Sequence, residues 1–382
     1  MKIVYYSNDW FADCDFPLIG ALQARGFDVS YYMPLPLGAK KNVLFTFKSR
    51  IWKLGIIKAA DVQEMHAFKD VLDLNRLFFI QGFHRYLPHT WLVWVYALIR
   101  IKKERADIVH TTWYINNAFE RFLFHYSLGK VKVLTVHDPF PHSDIANLTS
   151  EEKKRINTFK WADRFLLLNN SQMTDFSKLY GIPTKNIYSS KLGKYEVISK
   201  IGPVFPPVDG DYILFFGYIH PYKGLEYLLD AMKIVHKECP SLKLVIAGGG
   251  KLYFDDSKYR EDYFIWENRF IELPELAGFL KKTLFAICPY KDATQSGVVQ
   301  TAFSTGTPVV ATNVGAMAEV IDDGITGYLV PRCDSANLAE KIIYLYTHQD
   351  VLKQMKDNII SMCEKDSTWD EIAVDYAKVY RV

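Results

Sequence analysis

Short apolar runs of strand length recur along this chain with helix-length segments between them, and that alternation constrains the fold more than any other feature. The first half carries Lys2 to Tyr6, Asp28 to Met33, Ile108 to Thr111, Val131 to Val136 and Phe165 to Leu168. The second carries Tyr212 to Phe216, Lys243 to Ala247, Leu284 to Cys288 and Pro308 to Ala311. Such short buried strands with helices between them predict parallel sheets with helices on both faces, an α/β class. At 382 residues, 49% of them hydrophobic, the chain exceeds what one core usually takes, so two such domains are expected. Gly202-Pro203-Val204-Phe205-Pro206-Pro207 interrupts the pattern and sets the boundary near residue 205, with Asp209-Gly210-Asp211 as a solvated turn after it.

Five cysteines, Cys14, Cys239, Cys288, Cys333 and Cys363, show neither CxxC spacing nor nearby histidines, which argues against a disulfide framework and against zinc. A reducing, cytoplasmic setting is the expectation. Met1-Lys2 runs straight into an apolar strand, so no secretion signal is inferred. The longest apolar run, Trp91 to Ile99, is far short of the ~20 residues that span a bilayer. Net charge is only +3, yet residues 1 to 200 hold 28 Lys and Arg against 18 Asp and Glu, and the remainder is acidic. A basic first half is expected to meet something anionic.

Doubly wound domains bind ligands outside the C-terminal ends of their strands, so the loops there carry the candidates. Strand Val131 to Val136 ends in His137-Asp138-Pro139, with His142 beyond: an imidazole there can serve a sugar hydroxyl or a departing oxygen, or act as a structural hydrogen-bonder. Phe216-Gly217-Tyr218-Ile219-His220-Pro221-Tyr222-Lys223-Gly224 leads from a strand into a helix. Gly217 lets backbone approach a ligand and Lys223 adds a point charge, which suits a pyrophosphate; a solvated lysine after a proline turn fits the segment equally. Ala247-Gly248-Gly249-Gly250 reads as a tight strand exit and not as a dinucleotide fingerprint. Lys291 to Ala311 opens with small residues, begins a helix at Ser296-Gly297-Val298 whose free amides can seat a phosphate, and ends in a Gly-Thr-Pro turn. No hydrolase elbow, metalloprotease, Walker or nucleic-acid signature is present.

In this order and at these separations the motifs resemble glycosyltransferase family 4, the retaining nucleotide-sugar transferases of the GT-B fold. The resemblance rests on Phe215-Phe-Gly-Tyr-Ile-His-Pro-Tyr-Lys-Gly-Leu-Glu, on Leu244-Val-Ile-Ala-Gly-Gly-Gly, and on the stretch from Gly306-Thr-Pro through Gly327-Tyr-Leu-Val. Asp107-Ile-Val-His110, Thr135-Val-His137-Asp138 and Ser367-Thr-Trp-Asp-Glu-Ile-Ala extend it, while much of residues 35 to 105 matches nothing nameable. Two departures stand out. The family's pair of Glu with seven residues between is here Asp292 and Gln300, or Ala293 and Thr301 if the Gly-Thr-Pro turn anchors the alignment; some members share this Gln-Ser-Gly-Val form. Tyr218 occupies the place of a common Arg, exchanging a charge for one neutral hydrogen bond.

The resemblance implies two Rossmann-like doubly wound domains facing each other across a cleft: residues 1–204 for the acceptor, 205–365 for the nucleotide sugar, and a helix in 366–382 crossing back to the first domain. It implies His137 and Lys223 as catalytic groups, with Gly217, Tyr218, Lys223, Gly248, Asp292, Ser296, Gly297, Val298 and Gln300 around the donor. Asp13, Asp15, Asp138 and His142 are the acceptor candidates. Retention of configuration, no cofactor and no metal are expected, with a nucleotide-diphosphate sugar and a glycan or lipid-linked acceptor as partners and no nucleic acid. A cell-surface polysaccharide role follows by the same resemblance. Rival readings are a non-catalytic nucleotide or glycan platform and a GT-B epimerase or phosphorylase. Two basic segments interleaved with aromatics, Lys40 to Lys58 and Arg76 to Arg105 with Phe78, Phe79, Trp91 and Trp94, suggest either contact with the inner face of a membrane or a core face with lysines reaching outward.

Overall fold

The structure is a computed structural model that describes residues 1–35, 55–82, 88–112, 131–140, 148–293, 297–365 and 368–381. Described residues within 1–193 and 368–381 form one compact unit and those within 194–365 a second.

In the first unit the strands are β1 (Lys2–Tyr6), β2 (Asp28–Leu35), β3 (Gly55–Lys58), β4 (Leu77–Gln81), β5 (Ile108–Thr111), β6 (Val131–Val136), β7 (Arg164–Leu167) and β8 (Ile187–Ser189). They form one sheet in the order β3-β4-β2-β1-β5-β6-β7-β8, parallel except for the edge strand β3. Helix α1 (Ala12–Ala24) links β1 to β2, and α2 (Pro88–Lys103) precedes β5. The chain runs outward from β1 through β2 and then resumes on its other side at β5, so the loops after β1, β5 and β6 open near the switch point of the sheet. Ile3, Val4, Tyr5 and Tyr6 are all buried, which is why β1 lacks any polar alternation.

A polar cluster lies inside this core. Tyr5 and Tyr31 hydroxyls donate to the two Asp15 oxygens at 2.8 and 3.0 Å. His110 meets Thr135 Oγ1 at 2.8 Å and the Tyr380 hydroxyl at 2.5 Å, with Tyr376 stacked on its ring. Tyr376 and Tyr380 come from the C-terminal helix Trp369–Tyr380, which packs on α1. A Cβ at Gly193 would stand 2.4 Å from the Trp369 ring, so glycine is what lets that helix seat.

The second unit holds β9 (Tyr212–Phe216), β10 (Lys243–Ala247), β11 (Phe264–Glu267), β12 (Ala286–Cys288), β13 (Val309–Thr312) and β14 (Gly327–Val330), all parallel, in the order β11-β10-β9-β12-β13-β14. Its switch point falls between β9 and β12, so the loops beginning at Gly217 and Pro289 flank it. The proline-rich stretch at 202–207 is packed within this unit: Val204 N–H donates to Pro274 O at 2.8 Å, and a Cβ on Gly278 would stand 2.0 Å from Val204 O.

The structure divides the basic-aromatic segments. Lys40 to Leu54 lies outside the described residues, and Gly55–Lys58 is β3. Phe78 and Phe79 are core residues of β4, and the Arg76 guanidinium pairs with Asp28. These three side chains belong to the core-face reading. Among the described residues of the two segments, the large exposed apolar groups all stand on α2.

Burial pushes Asp15 up from 3.8 to about 7, against the opposing hydrogen bonds from Ser7, Tyr5 and Tyr31. Between those values the folded chain keeps a proton that the unfolded chain releases, so Asp15 costs stability increasingly as pH rises through that window. Asp15→Asn should gain on wild type by ~2 kcal/mol between pH 5 and pH 8 in urea melts. A difference independent of pH would rule out a proton held there.

Candidate functional site

Strand β9 ends at Phe216, and Gly217 follows it with a left-handed φ of 99°. A Cβ at Gly248, at the end of β10, would stand 2.0 Å from Gly217 O, so two strand exits touch backbone to backbone. Gly217 N–H donates to Ala247 O and Ile219 N–H to Gly249 O, each at 3.0 Å. The glycine run is thus a close-approach device, as a strand-exit turn requires.

The chain then makes the turn Pro221–Lys223, and Gly224 takes a left-handed φ of 63°. A Cβ there would stand 2.2 Å from Pro289 O, which locks this loop onto the one after β12. Helix Leu225–Glu238 follows. Its first turn is filled by the protein itself: Leu225 N–H donates to the Tyr253 hydroxyl at 3.2 Å, Tyr253 bonds Glu226, and Lys291 pairs with Glu226 at 3.0 Å. The helix start is not an open anion seat.

Lys223 stands just ahead of that helix. Its side chain is only 7% exposed, and among the described residues no carboxylate pairs with it. The Nζ lies 5.6 Å from the centroid of the buried Tyr290 ring and 2.8 Å from where a Gly217 Cβ would stand, so it points into the mouth of the β9 loop. Burial pushes its pKa down to about 8, opposed by the neighbouring Cys288 thiol. The solvated-lysine reading is therefore replaced by a desolvated ammonium with no carboxylate partner among the described residues.

The helix Gly297–Phe303 starts beside it, with Val298 Cγ2 3.6 Å from the same Gly217 position and the Tyr195 hydroxyl 3.0 Å from where a Gly297 Cβ would stand. Ser296 lies outside the described residues. Gln300 is buried one turn along, and Asp292 is half-buried. Tyr218 is 64% exposed at the rim of an open cavity of about 690 Å³, lined also by Ile219, His220, Lys251, Tyr253 and Phe254. Gly217, Tyr218, Lys223, Gly248, Gly297 and Val298 therefore gather around one end of the sheet. Tyr195, Tyr253 and Tyr290 join them although their local sequence did not single them out. Tyr290 alone had a signal, standing at the end of an apolar strand.

On the first unit His137 leaves β6 half-buried and stacks on Phe11 at 4.2 Å between centroids. Burial pushes its pKa down to about 4, with Asp138 opposing, so the ring is neutral at ordinary pH and can exchange hydrogen bonds but not act as a cation. Asp138 is half-buried and its backbone carbonyl accepts from Arg155. Asp13 accepts from the Cys14 N–H at 2.9 Å. Asp15 is buried with both oxygens engaged by tyrosines, which makes it part of the core rather than of a ligand surface. His142 lies outside the described residues. Among the described residues no three His, Cys, Asp or Glu side chains are grouped to hold a metal ion.

Residues 210–348 match the family model described as Glycosyl transferases group 1. An uncharacterized glycosyltransferase of Methanocaldococcus jannaschii is 25% identical over 84% of this chain and 87% of its own length. The phosphatidyl-myo-inositol mannosyltransferase of Mycobacterium leprae is 30% identical over 45% of this chain and 46% of its own, so that relative is matched over less than half its length. Sucrose-phosphate synthase from Thermosynechococcus elongatus shares the fold with a TM-score of 0.71 at 16% identity, over 100% of this chain and 98% of that one. Anabaena HepE in complex with UDP-glucose gives a TM-score of 0.69 at 14% identity, covering 99% and 98%. The fold is GT-B.

An unpaired buried charge predicts a trade of stability for binding. Lys223→Met keeps the length and removes the charge, and should stabilise the ligand-free chain by ~2 kcal/mol at pH 7 in urea melts. Destabilisation instead would mean that the ammonium is already compensated.

Proposed function

We propose that this chain is a glycosyltransferase that moves a hexose from a nucleotide-diphosphate sugar to a glycan or lipid-linked acceptor, with retention at the anomeric carbon and without a metal, in cell-surface polysaccharide synthesis. The single observation that carries the reading is the buried Lys223 ammonium at the sheet edge, which has no carboxylate partner among the described residues. A diphosphate supplies the missing counterion, and the leaving group gains negative charge as the sugar–phosphate bond breaks, so the interaction strengthens toward the transition state. The Gly297 and Val298 amides, with Ser296 ahead of them, and the exposed Tyr218 hydroxyl are proposed as the remaining donors to the phosphates. Gly217 and Gly248 permit the approach, and Asp292 and Gln300 are proposed to face ribose and sugar.

In the step itself the bond from the anomeric carbon to the β-phosphate oxygen breaks through an oxocarbenium-like state. The acceptor oxygen bonds to the same face, and its proton passes to the departing phosphate. Lys223 stabilises the charge left behind. His137, neutral, offers a hydrogen bond to a sugar hydroxyl, and Asp13 and Asp138 are the acceptor candidates that remain half-open. The mannosyltransferase relative acts, by its name, with phosphatidyl-myo-inositol, which supports a lipid-linked acceptor and a peripheral place on the inner face of a membrane. The free cysteines fit the cytoplasmic side.

Thermal shift against UDP, GDP and ADP tests the donor site, UDP first because HepE holds UDP-glucose. One diphosphate at a hundredfold excess over its Kd should raise the melting temperature by roughly 5 °C, and Lys223→Ala should lose most of that rise. Equal shifts in both proteins would remove Lys223 from the site. A full shift in wild type, with no sugar release or transfer from any matching donor, would favour the non-catalytic platform.

A further inference from the structure

Helix α2 has two apolar faces, and the described residues cover only one of them. Thr90, Val93, Ala97 and Ile101 recur every three or four residues and are buried over β3 and β4, the last three beside Tyr32, Phe78 and Ile80. Trp91, Leu92, Val95, Tyr96 and Ile99 are 48% to 69% exposed. At the helical turn of about 100° per residue these five share one arc of roughly 140°, opposite the buried set. Lys102 and Lys103 fall in that same arc and are exposed. The helix contains no Asp or Glu. Arg100 is turned inward, its guanidinium 4.2 Å over the Phe78 ring, and the nearby Glu104 carboxylate is engaged by Lys2 and Tyr32.

Five large apolar side chains on one helix face are a patch and not a scatter of single exposures. The composition selects among occupants. Trp and Tyr with aliphatic neighbours suit the headgroup level of a bilayer, where an aromatic ring has apolar and polar surroundings at once. The two lysines at one end suit lipid phosphates. A second copy of the chain meeting this face would bury lysines from both partners with no carboxylate on the helix to receive them.

We propose that α2 docks the first unit on an anionic lipid surface, lying in the interface plane with Trp91, Leu92, Val95, Tyr96 and Ile99 among the headgroups and Lys102 and Lys103 at the phosphates. At 16 residues it is shorter than the ~20 needed to span, so the contact is lateral. The inference deepens the lipid-linked acceptor reading and rests on it for its purpose, while the physical argument concerns a face remote in sequence from Lys223. The partner is the bilayer itself, held by burial of the patch and by charge together, so that removing either weakens it.

Co-sedimentation of the full chain with phosphatidylcholine vesicles, with and without phosphatidylglycerol, tests this directly. Wild type should pellet with the anionic vesicles and be released by salt. Leu92→Glu combined with Ile99→Glu should leave the protein in the supernatant while its melting temperature and nucleotide shift stay as in wild type. Lys102→Ser and Lys103→Ser should each weaken binding about fivefold. These two exposed lysines keep the test alive if the double glutamate variant folds poorly. Wild type failing to bind anionic vesicles overturns the proposal, as does binding that the glutamates leave unchanged, or a wild-type dimer that they dissolve. A chain that binds vesicles but no nucleotide leaves α2 docking in place and removes the donor site; the converse result does the opposite.

Discussion

An ammonium group held inside a protein without a carboxylate costs free energy that the rest of the fold must offset, and Lys223 has no carboxylate partner among the described residues. The surrounding construction keeps it where it is. Gly224 sits against Pro289 O, the short Pro221–Lys223 turn fixes where the side chain departs, and Tyr290 closes the inner side. Glu226, in the first turn of the helix that follows, is committed to Lys291 and Tyr253. Of these two lysines Lys291 is paired, and Lys223 has no carboxylate partner among the described residues. The position of a switch point between β9 and β12 explains why this happens here, since both loops leave their strands on the same side with a gap between them.

The two units manage buried polarity in opposite ways. In the first, Asp15, His110 and the tyrosines satisfy one another inside the core, and burial drives His110 down to about 3 so that it stays neutral. Such a closed network specifies how α1 and the C-terminal helix seat on the sheet. In the second, the charge at the strand ends is left open. Asp15, expected to meet an acceptor, belongs to the closed kind, which narrows the acceptor candidates on that unit to groups that water can reach.

Much of this was legible in the sequence because parallel strands buried on both faces leave unbroken apolar runs: β1, β5, β6, β9 and β10 stand at the residues their runs predict. Of the five strands not anticipated, β3, β4, β8, β11 and β14, the first four have physical reasons. β3 and β8 are edge strands of four and three residues, and β11 interrupts its apolar run with Trp266 and Glu267 at the sheet margin. β4 hides in a longer aromatic stretch whose charged neighbours give it the look of a surface segment. The run that opens at Leu284 illustrates the usual boundary drift, since β12 begins only at Ala286, and Thr283 Oγ1 donates to Tyr212 O just ahead of it. The site was legible where chemistry is local, at Gly217, Lys223 and Gly248. It was not where tertiary folding supplies the residue: Tyr195 and Tyr253 join the site from two separate segments, and no local spacing encodes that.

The titration of Lys223 itself addresses the buried cation most directly. Selective labelling of lysine side chains, with assignment through Lys223→Met, allows the ammonium to be followed by NMR in the free chain and with saturating nucleoside diphosphate. An unpaired buried ammonium should titrate near 8 alone and move upward by at least one unit when the diphosphate binds, taking up a proton at pH 8. A value near that of an ordinary lysine in the free chain, or one that the diphosphate leaves in place, would contradict the assignment of this lysine as the diphosphate seat.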